Sequence, residues 1–295
     1  MTISLGINPI TWSNDDLQHV GANISLESCL SETAAAGFDG IELGHKFPRD
    51  AKILKPVLDK HGLALVSGWY SGRLLDRDAK TEIAAMESHA KLLSAMGCDV
   101  LIFAEVTGCI HSDIGARLSQ RPKIAADDWQ SFGKRMSEVA KVAEGYDLKL
   151  CYHHHMGTVV QSDADIDALM QQTSDDVYLL LDTGHAYFAG ADPVHLAQQY
   201  ADRIGHLHCK DIRTKPMRRC VNRDGSFLDA VLDGAFTVPG DGCIDYAGVF
   251  SALDDYSGWA VVEAEQDPSV APPARYAQLG YDNLRSLVGP KNDVA

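Results

Sequence analysis

The chain has 295 residues, 45% of them hydrophobic, which is enough apolar side chain to bury a large core. Asp+Glu 41 against Lys+Arg 26 leave a formal charge of -15, so a nucleic-acid backbone or an anionic membrane surface is repelled and disfavoured as a partner. The opening MTISLGINPITW has no basic segment followed by an apolar run, and no stretch approaches the roughly 18 apolar residues of a membrane span, so the chain reads as cytoplasmic.

Short apolar runs alternate with helical stretches along the whole chain. The expected strands are ISLGINP, FDGIELG, LALVSGW, DVLIFAE, LKLCYHH, VYLLLDT, IGHLHCKD and WAVVEAE. Between them lie expected helices at 25–36, 50–61, 79–96, 125–145, 163–172, 193–202, 242–255 and 272–288, several opened by Ser, Asp or Pro. No low-complexity linker interrupts the series, and no GxGxxG opens the first helix as in a doubly wound sheet. Eight strand-then-helix units predict a (β/α)8 TIM barrel occupying residues 1–295 as one domain. The seven cysteines are odd in number and show no CxxC spacing; they read as free thiols, with Cys151 and Cys209 as core residues turned away from the site.

In such a barrel the active site forms at the C-terminal ends of the strands. Polar residues that end apolar runs are therefore the candidates: Asn8, Glu42, Trp69, Glu105, His153 with His155, Asp182 with His185, His208, and Glu263 with Glu265. Side chains alternate along a strand, so His153 and His155 share the mouth-facing side and His154 turns to the helices. Donors on four successive strand ends converge on one mouth, where the carboxylates would repel one another without a cation. Imidazole plus carboxylate without thiolate suits Mn, Co, Zn or Fe. The segment KPMRRCVNRDGSFLDAVLDGAFTVPGDGCID reads as a long lid-like loop over about 211–242, with Arg218, Arg219 and Arg223 available to a substrate.

The blocks LLLDTGHAYFAGAD and HLHCKD and a late strand ending in Glu resemble the xylose isomerase-like barrels, which include sugar epimerases, hydroxypyruvate isomerase and family 2 AP endonucleases. More specifically, GINPITWSND, YHHHMGT, FTVPGDGCID and SGWAVVEAEQDP together resemble the inosose dehydratase family, whose members dehydrate 2-keto-myo-inositol in inositol catabolism. That resemblance implies a metal site of His153, Asp182, His208 and Glu263, filled by Mn or Co, and an association with glutathione. Much of the superfamily carries Glu where His153 stands, so His155 is the alternative ligand at this position. The same change speaks against epimerase chemistry, which uses that Glu as an acid/base group.

Ketose dehydration needs a base for the proton alpha to the carbonyl and an acid for the departing hydroxyl. Imidazole suits both, which points to His155 and His185, with Glu265 third. Lys210 shares the face of His208 and either polarises a substrate oxygen or pairs with Glu263 or Asp211. Asn8, Glu42, Lys46, Trp69 and Glu105 are the expected contacts for a polyol ring. The expected partner is thus a small polyol or ketose, with a homo-oligomer suggested by related barrels. A metal-dependent sugar isomerase or epimerase working through an enediolate is the alternative. A three-metal AP endonuclease would need histidines where Glu42 and Trp69 stand.

Overall fold

The computed structural model describes residues 2–289, so the expected domain limits at 1 and 295 lie outside the described residues. Among the described residues ten strands occur in chain order: β1 Thr2–Ile7, β2 Gly40–Leu43, β3 Ala64–Gly72, β4 Val100–Glu105, β5 Lys149–His153, β6 Val177–Asp182, β7 Ile204–Cys209, β8 Asp211–Ile212, β9 Phe236–Thr237 and β10 Ser257–Val262. Eight of them close a barrel in the order β1-β10-β7-β6-β5-β4-β3-β2. All the barrel pairings are parallel, and the register of Thr2 on Ser257 through Ile7 on Val262 shuts the cylinder. This is the (β/α)8 barrel expected from the alternating pattern.

The strands read as continuous apolar runs because both of their faces are covered. In β4 all six residues are buried. Leu101, Phe103, Leu150, Tyr152, Leu179 and Leu181 point outward into the layer between barrel and helices. Val100, Ile102, Cys151 and Leu180 fill the interior with Trp69 and Tyr178. Each fully buried aliphatic chain contributes about 1.5–3 kcal/mol. Cys151 therefore does not turn away from the site. It stands two residues before His153 and shares that face, forming part of the floor beneath it, whereas Cys209 lies in the outer layer.

The principal helices are Leu26–Ala36, Ala51–Asp59, Ala79–Ala95, Trp129–Glu144, Asp163–Gln172, Pro193–Gln199, Tyr246–Ala252 and Pro273–Val288. Ser25, Asp50, Asp78, Ser162, Asp192 and Asp245 each cap a helix by accepting from a backbone N–H one turn in. The 211–242 segment is not structureless. β8 and β9 form an antiparallel hairpin around helices Thr214–Asn222 and Phe227–Leu232, the second opened by a Ser226–Asp229 capping box. Its apolar residues pack a small core of their own that includes Met156, Phe188, Phe227, Leu228, Val231 and Phe236.

Candidate metal centre and active site

Strand geometry brings the four expected ligands together. His153 ends β5, Asp182 ends β6, His208 is the penultimate residue of β7, and Glu263 directly follows β10. His153 Nε2 is 3.1 Å from His208 Nδ1. Asp182 Oδ2 is 3.7 Å from each of those nitrogens, and Glu263 Oε2 is 3.7 Å from His208 Nδ1. Ligands held at about 2.1 Å from one ion stand roughly 3–3.5 Å apart, so this spacing fits donors that share a cation. His185 belongs to the same buried group, with all donor atoms of His153, Asp182, His185 and Glu263 within 4.8 Å of one another.

Local folding explains why one oxygen of Asp182 is left over. Asp182 also caps the short helix Thr183–Phe188, where Oδ1 accepts from the His185 N–H at 2.8 Å, while Oδ2 is buried and has no hydrogen-bond donor. A buried carboxylate oxygen without a hydrogen bond is costly unless a cation takes it. Burial works against a charged His208, yet Glu42 beside it, with Asp182 and Glu263, pushes its pKa up to about 10. The spot thus favours positive charge. His153 goes the other way: burial and the His208 ring hold it well below its ordinary value, as a neutral donor. The residues present fit a divalent ion.

Beneath these four donors lies a second layer. Glu42 accepts at Oε1 from Ser67 (2.6 Å), His206 Nε2 (2.9 Å) and His208 Nε2 (3.1 Å), and at Oε2 from Asn8 Nδ2 (2.7 Å). Fixing His208 through Nε2 turns Nδ1 toward His153, Asp182 and Glu263, the carboxylate–histidine arrangement that orients metal ligands in general. Glu42 and Asn8 also line the cavity above.

Lys210 is fully buried, and its Nζ lies 2.7 Å from both Glu263 Oε2 and Glu265 Oε1, 2.9 Å from His185 Nε2 and 3.8 Å from Asp182 Oδ2. Of its two expected pairing partners it takes Glu263. Asp211 instead receives the backbone N–H groups of Gly240, Gly242 and Ile244. Against the cost of burial, Lys210 and His208 hold Asp182 down to about 2. Burial lifts Glu263 to about 7.

A cavity of about 260 Å³ opens over this floor, lined by Asn8, Asp16, Trp69, His111, His155 and Glu265 among others. His155 donates from Nδ1 to the Met156 carbonyl at 2.7 Å, which leaves Nε2 as a free acceptor 3.9 Å from Glu265 Oε1. Trp69 sets its ring edge-on to His153 and His155 at 5.2 and 5.7 Å. His154 turns away and accepts from the Asp182 N–H at 3.2 Å. Of the four expected acid/base residues, His155 and Glu265 line the cavity, while His185 and Lys210 lie fully buried behind it.

Five expected substrate contacts are placed elsewhere. Lys46 donates to the carbonyls of Gly21, Ala22 and Ile24, tying down the loop after β1. Glu105 stands three residues after the inward-facing Ile102, hence on the opposite face, and receives the N–H groups of Leu74 and Thr107. Arg218 and Arg219 on helix Thr214–Asn222 and Arg223 at its C-terminal cap are exposed, and Arg223 pairs with Asp233 at 3.1 Å. The 211–242 segment supplies Phe227 instead, 4.9 Å from the His155 ring, and Phe236, 5.1 Å from Lys210 Nζ.

Sequence reasoning missed Asp16, His111 and His206. His206 was within reach, since it precedes His208 by two residues on the same face. Asp16 and His111 sit in loops, where no periodicity marks them. His111 is brought in by Gly157, whose left-handed φ of +78° and lack of a side chain let the His111 backbone pass where a Cβ would lie 2.9 Å from its nitrogen.

The barrel with a histidine- and carboxylate-lined mouth defines a class, and a family model described as "Xylose isomerase-like TIM barrel" matches residues 30–287. The chain belongs to the xylose isomerase-like TIM barrel family. Within that family it is 45% identical over 289 residues to the rhizopine catabolism protein MocC of Rhizobium meliloti, covering 97% of this chain and 89% of that one. It is 41% identical over 292 residues to the inosose dehydratase of Histophilus somni, covering 97% and 98%, and 42% identical to inosose dehydratase 2 of Bacillus cereus, covering 98% of each. Among solved structures, the IOLI protein with a bound zinc atom matches with a TM-score of 0.68 over 97% of this chain and 98% of that one, at 18% identity, a likeness of fold.

Proposed function

We infer that the protein is a metal-dependent hydro-lyase that removes water from 2-keto-myo-inositol to give a trihydroxycyclohexane dione. The observation that carries this reading is the approach of His153, Asp182 and Glu263 donor atoms to within 3.1–3.7 Å of His208 Nδ1, beside a His155 whose Nε2 makes no hydrogen bond. Full-length similarity to inosose dehydratases supplies the substrate. The cavity of about 260 Å³ lies just under the roughly 300–1,000 Å³ of sites for drug-sized ligands and suits one six-membered ring.

His153, Asp182, His208 and Glu263 would hold Mn or Co, which supplies Lewis-acid polarisation of the ketone and of a neighbouring hydroxyl. His155 Nε2 takes the proton alpha to the ketone, as its Nδ1–H is committed to the Met156 carbonyl. Glu265, fixed by Lys210, stands 3.9 Å from that nitrogen and stabilises the imidazolium that forms. Trp69 and Phe227 flank the His155 ring and keep water from it. Asn8 and Ser71 offer hydrogen bonds to ring hydroxyls.

Purified protein supplied with Mn or Co and 2-keto-myo-inositol is expected to develop the dione absorbance. Exchange of solvent deuterium into the ketose without loss of water would favour the isomerase or epimerase reading instead.

A further inference from the structure

The dehydration needs a proton for the hydroxyl that leaves, and the expected candidates do not supply one inside the cavity. His155 is placed as the base. Glu265 is ion-paired to Lys210 at 2.7 Å, and Lys210 and His185 lie behind the cavity wall. Asp15, the neighbouring carboxyl in the lining, is paired with His45.

Asp16 is different. It lines the cavity, no other described side chain hydrogen-bonds its carboxyl, and its nearest ionisable partner is His111 Nε2 at 3.8 Å. The loop that carries it is preorganised: Asn14, itself buried, accepts from the N–H groups of Asp16 and Leu17 at 2.8 and 2.6 Å, and Lys46 clamps the far end. His111 also packs 5.2 Å from the His155 ring, so His155, His111 and Asp16 form one continuous wall. The metal-ligand donors come from β5, β6, β7 and β10, whereas Asp16 and His111 come from the loops after β1 and β4. A ring lying between can meet the base and the acid together.

We propose that Asp16 is a catalytic residue, the general acid that protonates the beta hydroxyl as it leaves. This rests on the dehydratase reading given above. The alpha C–H bond breaks, its proton passes to His155, and its electron pair forms the enediolate. The pair then moves to make the new C=C as the beta C–O bond breaks, and the departing oxygen takes the proton of the Asp16 carboxyl to leave as water. Product is the enol of the dione, Asp16 is left as carboxylate, and the proton on His155 returns to Asp16 through His111 or solvent. Burial, with the Glu265 charge nearby, raises the Asp16 carboxyl to about 6, which keeps a protonated fraction near neutral pH.

The test compares wild type and Asp16→Asn, with metal supplied, on 2-keto-myo-inositol and on its analogue bearing fluorine in place of the leaving hydroxyl. Fluoride departs without a proton. Asp16→Asn is expected to lose about 100-fold or more in kcat on the natural ketose and to stay within about 3-fold of wild type on the fluoro compound. Equal losses on both compounds, or no loss on either, would overturn the role of Asp16 while leaving the dehydratase reading in place. A wild-type protein inert toward both compounds would overturn that reading and the proposal with it.

Discussion

At the scale of single residues, the site is governed by charge balance. Glu42, Asp182, Glu263 and Glu265 are all buried, with Lys210 the one ammonium among them. Lys210→Ala removes the ammonium that Glu263 and Glu265 share at 2.7 Å, and breaking a buried ion pair costs about 3–5 kcal/mol. The variant should show a correspondingly lower denaturation midpoint, with part of the loss restored by added Mn. Glu42→Gln weakens the hold on His208 Nε2, so metal affinity is expected to fall about 10- to 100-fold in a chelator competition. Asp16 gives a pH signature. Its folded value of about 6 lies above the ordinary 3.8, so the folded chain binds that proton more tightly than the unfolded chain. Its favourable contribution is therefore complete below about pH 4 and lost as pH rises through 6. Asp16→Asn should be more stable than wild type by roughly 1–3 kcal/mol at about pH 8, discounted for partial exposure, and equal to it at about pH 3.5.

At the scale of elements, what the sequence could reveal depended on periodicity. The strand ends His153, Asp182, His208 and Glu263 were legible because an apolar run stops on each, and alternation assigned the faces of His153, His154 and His155. The same alternation, counted from Ile102, would have removed Glu105 from the site. Asp16 and His111 carry no such mark: one reads as a turn residue in WSNDD, the other lies six residues beyond β4. Lys46 was misplaced because its carbonyl partners at 21–24 form only when the loop folds back. The 211–242 segment read as a lid because Gly and Arg dominate its ends, yet FLDAVL carries a helical apolar face that seats Phe227 against His155. Phe227→Ala should cost about 3–5 kcal/mol by cavity formation, measured by denaturant unfolding, and admit water to the base. Gly157→Ala forces a left-handed φ and a 2.9 Å contact on the His111 backbone. A loss of about 1–3 kcal/mol is expected, with kcat falling together with stability because His111 is displaced.

At the scale of the whole molecule, barrel closure makes the site. β1 pairs with β10 along its full length and shuts the cylinder, while β10 runs parallel to β7 with Val261 opposite His208, which sets Glu263 beside the donors of the preceding strands. No helix among the described residues is long and apolar enough to cross a membrane. The fold sets His153, Asp182, His208 and Glu263 on strand ends and Asp16 and His111 on the loops that follow β1 and β4, the usual division in these barrels. The proposed chemistry depends on His153, Asp182, His208 and Glu263 holding one divalent ion. The direct test is elemental analysis of the protein after incubation with Mn and gel filtration, alongside Asp182→Ala treated identically. Close to one equivalent of metal per wild-type chain and little in the variant is the expected result; metal-free wild type, or equal metal in both, would contradict a shared metal centre at these residues.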